Sequence, residues 1–215
     1  MTDSTTGTSS STAPDPASPS TSSPVLDLGP QTEVLAQLVG GVGDEQLERP
    51  TPCPEYEVRH LLGHLAGLAA AFRDAARKDL GVTTDTSPGS SLPELGPDWR
   101  EELPKVLADL AEAWRDPAAW TGMTRAGGVD LPGEVAGVVA TDELVIHGWD
   151  LARATGRPYT PDPAALQVCH DFLEASADSP DRGEIFAPVV PVGPDAPLLA
   201  RAVGLSGRDP GWTRT

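Results

Sequence analysis

The chain has 215 residues and carries 32 acidic against 15 basic side chains, a formal net charge of −17 at neutral pH. A field of that sign repels phosphate backbones and argues against nucleic-acid partners, and no apolar run approaches the roughly 20 residues of a membrane-spanning helix, so no membrane partner is expected. Cys53 and Cys169 are too few for a disulfide scaffold and the N-terminus lacks the charged-then-apolar order of a secretion signal, so a cytoplasmic protein in a reducing compartment is expected.

Residues 1–24 are mostly Ser, Thr and Pro, with almost nothing able to bury apolar area, and are expected to be a disordered tail. Residues 25–215 are long enough for one domain with a substantial core. From Val25 to Val42, Leu26, Val34, Leu35, Leu38 and Val39 have helical spacing, with Pro30 near the start and Gly40-Gly41 near the end, and predict a first helix. A proline-rich loop through Pro50, Pro52 and Pro54 follows, and a second helix is expected from about Tyr56 to Leu80, with Val58, Leu61, Leu62, Leu65, Leu68 and Phe72 on one stripe. His64 sits between Leu61 and Leu68 on that stripe and is predicted to face inward.

Residues 81–98 form a long Gly, Ser, Thr and Pro linker. The third helix carries Leu103, Val106, Leu107, Leu110 and Trp114, with Pro104 placed in its first turn, where a missing N–H costs least. Asp116 to Gly128 reads as loop or short extended chain. Asp130 as cap and Pro132 then open a fourth helix that Gly156 and Pro158 end. Asp162 and Pro163 start a shorter helix to about Ala175, and a last turn or two covers Leu198 to Leu205. No segment alternates convincingly with period two. The expected fold is all-α, a four-helix bundle with a long crossover between helices two and three and short extra helices at the C-terminus.

On the fourth helix Glu143 and His147 are four residues apart, about 40° apart on one face and roughly 6 Å apart along the axis. Val135 and Val139 continue the row, so this face otherwise reads as apolar. A carboxylate there needs a proton, an ion pair or a cation. Bundle cores are where facing helices converge side chains on a metal, and His64 can meet Glu143 and His147 across such a core. Two His and one carboxylate form a recurring zinc set with an open fourth position, and they also suit nickel or iron(II). A rival set would use His60 with His64. Taken alone His60 reads as a solvated surface residue, and His170 as packed or at a rim. Asp150, three residues past His147, is a candidate to accept a hydrogen bond from a ligand histidine or a proton near the mouth of the site, or else an exposed helix carboxylate or a partner of Arg153. Cys53 is expected to fill a small gap in its loop.

Pro52-Cys53-Pro54-Glu55-Tyr56-Glu57-Val58-Arg59-His60-Leu61-Leu62-Gly63-His64-Leu65, followed far downstream by Asp142-Glu143-Leu144-Val145-Ile146-His147-Gly148-Trp149-Asp150, resembles the mycothiol-dependent maleylpyruvate isomerase metal-binding domain family, which belongs to the DinB-like four-helix bundles. The closing Gly207-Arg208-Asp209-Pro210-Gly211-Trp212 resembles the end of an actinobacterial subgroup of such proteins, so the resemblance covers about residues 26–212. It implies a divalent metal, usually zinc, on His64, Glu143 and His147. The chain departs from the family at Glu55-Tyr56-Glu57, where Gly-Trp-Thr is usual, and at His60, where Asp is common. Loss of the Thr weakens the expected cap of helix two.

The resemblance implies a zinc- and mycothiol-dependent isomerase or S-transferase acting on a small electrophilic substrate, as a monomer or homodimer. A non-catalytic metal-binding bundle with a stress-related or regulatory role is the alternative, and a metal-free helical domain with Glu143 exposed is the third reading. Deleting residues 1–24 should leave thermal melting and metal binding unchanged, since nothing in them can enter a packed core. A large fall in melting temperature of the truncated chain would show that the tail docks.

Overall fold

The computed structural model describes residues 1, 25–87, 92–180, 182–184 and 186–214. The tail expected over residues 1–24 therefore lies, beyond Met1, outside the described residues. Its helices are α1 (Gly29–Gly40), α2 (Val58–Arg77), α3 (Val82–Asp85), α4 (Trp99–Trp114), α5 (Gly133–Thr155), α6 (Pro163–Ala175) and α7 (Leu198–Leu205). Helices α1, α2, α4 and α5 form the bundle, and α1 and α2 each pack against both α4 and α5. The helices thus alternate around the bundle as α1, α4, α2, α5. The expected four-helix architecture holds, and α6 and α7 are the extra C-terminal helices.

The apolar stripes explain the packing. Leu61, Leu62 and Leu65 on α2 and Leu103, Leu107, Leu110 and Trp114 on α4 are at most 1% exposed, and each fully buried leucine contributes roughly 1.5–3 kcal/mol. Trp114 is also anchored through its indole N–H, which donates to the Phe72 carbonyl at 3.1 Å. Helix α5 is buried nearly all round, because the bundle covers one side while Val145 and Ile146 pack on Ala165, Cys169, Leu173 and Ala202 of α6 and α7 on the other.

Three expectations change. The segment expected to lack period-two structure contains a hairpin, β1 (Met123–Ala126) paired antiparallel with β2 (Val129–Pro132), closed at Gly127-Gly128. Strands of four residues are too short for alternation to register, and the Gly-Gly pair was the available signal. Asp130 consequently lies in β2, bonded to Arg125 at 2.7 Å, and does not cap α5. Within the expected linker, Val82–Asp85 forms one helical turn. Lastly, α4 begins at Trp99, which puts Pro104 in its second turn rather than its first. Trp99, 6% exposed, and Leu103, fully buried, lie on one face, and their burial outweighs the hydrogen bond that a residue 104 N–H would give Arg100.

Pro104→Ala restores that donor without touching the buried stripe and should stabilise the chain by about 1–3 kcal/mol. Chemical denaturation checks it, and an unchanged or lowered midpoint would mean that the proline ring contributes packing.

Candidate metal centre

Helices α2 and α5 are neighbours and run antiparallel. The turn at Pro117–Trp120 and the hairpin sit against both the C-terminal end of α2 and the N-terminal end of α5, with Lys78 Nζ donating to the Ala119 carbonyl and the Thr124 hydroxyl to that of Ala75. This pairing carries His64 of α2 towards Glu143 and His147 of α5. The row through Glu143 runs from solvent into the core: Val135 is 39% exposed, Val139 and Glu143 are half-buried, and His147 and Leu151 are buried. Apart from Glu143 and His147 the row is apolar, as its sequence suggests, but it is not uniformly buried. Glu143 stands at the boundary, where an anion keeps some water on one side.

Both imidazole Nε2 atoms face one carboxylate oxygen. Glu143 Oε2 lies 3.0 Å from His147 Nε2 and 3.3 Å from His64 Nε2. The two rings stand nearly perpendicular with centroids 4.8 Å apart. The side chains of His64, Glu143 and His147 are 17%, 30% and 9% exposed, so the cluster opens to solvent chiefly past Glu143. Two imidazole nitrogens and a carboxylate oxygen with an open side fit a divalent cation such as zinc.

The surroundings hold these groups in place. Asp150 is fully buried, and its Oδ2 accepts a hydrogen bond from His147 Nδ1 at 2.9 Å. Its partners are His147 and Arg208, not Arg153, which turns to the Trp212 carbonyl and the Trp149 ring. Beside His147, Gly148 allows Tyr159 to approach so closely that a Cβ would lie 2.6 Å from its hydroxyl. That hydroxyl donates to the Val145 carbonyl at 2.8 Å and accepts from Gln31 at 3.0 Å, tying α1 to α5 next to the cluster. On the α2 side the Tyr56 ring packs 5.5 Å from the His64 ring.

His60 is a correction. It lies apart from the cluster and half-buried, and its Nδ1 accepts the Glu57 backbone N–H at 3.3 Å. His60 thus contributes to capping at the start of α2 by satisfying the Glu57 N–H, a different donor from the one that a Thr at position 57 would satisfy. His170 is 3% exposed and gathers with the exposed Asp171 and Glu174 on α6, remote in sequence from both site motifs. Cys53 is half-buried beside the site, and burial, reinforced by the Asp150 charge, pushes its thiol up to about 11. Tyr56 and Arg208 are the neighbours of the site that sequence spacing does not reveal. Arg208 lies 58 residues from Asp150, and the Gly207-Arg208-Asp209-Pro210 tail carried a family resemblance but no sign of this contact.

Without a bound cation the cluster carries its own charge balance. Burial disfavours ionised Glu143, yet the hydrogen bonds from His147 and His64 outweigh it and hold the carboxyl well below the usual carboxylate range. Burial likewise opposes protonated His147, but Asp150 and Glu143 lift it to about 9. Asp142 is pushed up to about 7, first by burial and then by the charge of Glu143. Because the pKa of His147 is raised from 6.5 to about 9, the folded state holds that proton more tightly than the unfolded chain. Its stabilising contribution is complete below about 6.5 and is lost as pH rises through about 9. An NMR titration of the metal-free protein should show the His147 ring titrating near 9, and His147→Gln should remove the matching decline in melting temperature. A midpoint at 6.5 would contradict the geometry.

The family model for the mycothiol maleylpyruvate isomerase N-terminal domain matches residues 28–152, which includes all three converging residues but stops short of the C-terminal segment expected to share the resemblance. Two relatives, the uncharacterized proteins Rv0738 and MT0763 from two strains of Mycobacterium tuberculosis, are each 28% identical over 132 residues. The alignment spans 61% of this chain and 66% of each relative, just under two thirds of their length. A crystal structure of a histidine-to-alanine mutant of mycothiol-dependent maleylpyruvate isomerase is similar at a TM-score of 0.45 and 18% identity, over 66% of this chain and 65% of that one. Among the described residues no helix is long and apolar enough to cross a membrane. With both site motifs and all of the bundle but the last three residues of α5 inside the matched region, the chain belongs to the mycothiol maleylpyruvate isomerase N-terminal domain family.

Proposed function

We propose that the chain binds a divalent metal, zinc being the expected ion, through His64, Glu143 and His147, and acts as a thiol-dependent isomerase or S-transferase of the mycothiol type on a small electrophilic substrate. The observation that carries this reading is the approach of two imidazole Nε2 atoms to one Glu143 oxygen at 3.0 and 3.3 Å on a side open to solvent. Bound there, a divalent cation would supply Lewis acidity, lower the pKa of a coordinated water to about 7 and hold a coordinated thiol as its thiolate.

The chain's own residues prepare that position. Asp150 accepts the His147 Nδ1 proton and so directs the lone pair of the neutral ring's Nε2 towards Glu143. Glu143 is kept anionic and offsets one positive charge. Tyr56 limits rotation of the His64 ring by packing against it. Cys53, pushed up to about 11, stays a thiol at neutral pH and does not compete with a small-molecule thiolate for the electrophile. Since a cation must displace a proton from His147, loading should strengthen with pH up to about 9. The family's name makes maleylpyruvate with mycothiol the first substrate pair to assay.

Glu143→Gln keeps the side-chain shape and removes the charge. Elemental analysis should show reduced zinc loading, thiol-dependent turnover should collapse, and the circular-dichroism melt should stay cooperative, because the Leu and Trp stripes hold the bundle. A variant that lost zinc and cooperative melting together would favour a structural metal in a non-catalytic bundle.

A further inference from the structure

The C-terminal segment reaches back to the candidate centre through one buried contact. Arg208 Nε lies 3.1 Å from both Asp150 oxygens, and its Nη2 lies 3.0 Å from Oδ2, the same oxygen that accepts the His147 Nδ1 proton. Asp150 is fully buried and the Arg208 side chain is 16% exposed. A carboxylate at that depth without a cation would be costly and would be free to turn away from His147. Arg208 compensates its charge and fixes its orientation, because a planar guanidinium grips a carboxylate in one geometry.

Arg208 is itself held by backbone geometry. Gly207 ends α7 with φ +87°, and a Cβ there would meet the Ala187 carbonyl oxygen at 2.8 Å. The Arg208 N–H then donates to the Val203 carbonyl at 3.1 Å. Further along, the Arg153 guanidinium donates to the Trp212 carbonyl and Arg214 to that of Ala154, so the segment is fastened to the end of α5 just beyond its contact with Asp150. All of this lies beyond residue 152, where the family match ends.

We infer that Arg208 is a positioning residue of the centre: it locks Asp150, Asp150 holds the His147 ring, and the C-terminal segment is thereby an integral part of a site whose three donors lie in the family domain. The inference rests on the proposed metal-binding reading for its effect on zinc, but not for its effect on the ring. Coupling of this kind is reciprocal, so zinc should also tighten the segment.

The test uses the full-length chain, with zinc alone as ligand, measured by competition with a chromophoric chelator. Arg208→Met should weaken zinc binding roughly 10–100-fold, the range for loss of an outer hydrogen-bond partner, and Arg208→Lys should restore part of it. In an Asp150→Ala background Arg208→Met should cause no further loss. The same comparison decides the matter if Arg208→Met alone fails to fold, since the double variant leaves no buried charge unpaired. A solvent-protected His147 Nδ1 proton should be visible by NMR in the wild type with or without zinc, be lost in Arg208→Met and return in Arg208→Lys. Zinc should slow amide exchange over residues 203–212. If the wild type took up no zinc, the functional reading would fail and the Nδ1 proton would decide the positioning role by itself. Unchanged zinc affinity and an intact Nδ1 proton in Arg208→Met, or an equal loss in the Asp150→Ala background, would overturn the inference.

Discussion

The structure turns on keeping one carboxylate, Glu143, ionised at the edge of a helical core. An anion in that position loses most of its hydration, and the loss must be offset by donors on hand. His147 supplies one from the next turn of α5 and His64 a second from α2. The second requires the two helices to be antiparallel neighbours in register, so the bundle order and the Leu61, Leu62 and Leu65 contacts of α2 are conditions for the site as much as for the fold. Placing Glu143 at the boundary leaves it 30% exposed, a compromise between a solvated surface acid and a buried one. Such a position favours exchange of protons for a cation, because the open side admits the ion while the closed side keeps the donors aimed.

A second layer of charge lies behind the first. Glu143 and Asp150 are acids on either side of His147, and Arg208 is the second basic side chain bonded to Asp150, after His147 itself. With His147 between two carboxylates its ring is fixed at both nitrogens, which is why its proton is held so firmly in the cation-free state. The same two contacts that raise the proton affinity also aim the ring, so metal and proton compete for one prepared nitrogen. Helix α5 can support this because it is covered on both sides, by the bundle and by α6, which keeps Asp150 away from water that would screen it.

Much of this was legible in the chain. The i, i+4 spacing of Glu143 and His147, and the place of His64 between Leu61 and Leu68, put three donors on inward helical faces, because a 3.6-residue period fixes direction. What periodicity cannot carry is long-range pairing: Arg208 meets Asp150 across 58 residues, and nothing local to either marks the other as its partner. Short-range features that depend on tertiary packing were lost too. The four-residue strands of the hairpin and the start of α4 ahead of Pro104 both follow from what they rest against. His60, read as a solvated residue, caps α2, since a ring nitrogen three residues in reaches the backbone N–H of Glu57 that a Thr hydroxyl at position 57 could not satisfy from its own side chain.

X-ray absorption at the zinc edge of the loaded, full-length protein addresses the central claim most directly. The account predicts nitrogen and oxygen neighbours at about 2.0–2.2 Å with the outer-shell scattering of two imidazoles, falling to one imidazole in His64→Ala. A sulfur neighbour at about 2.3 Å, which would point to Cys53, or a shell lacking imidazole scattering, would contradict it.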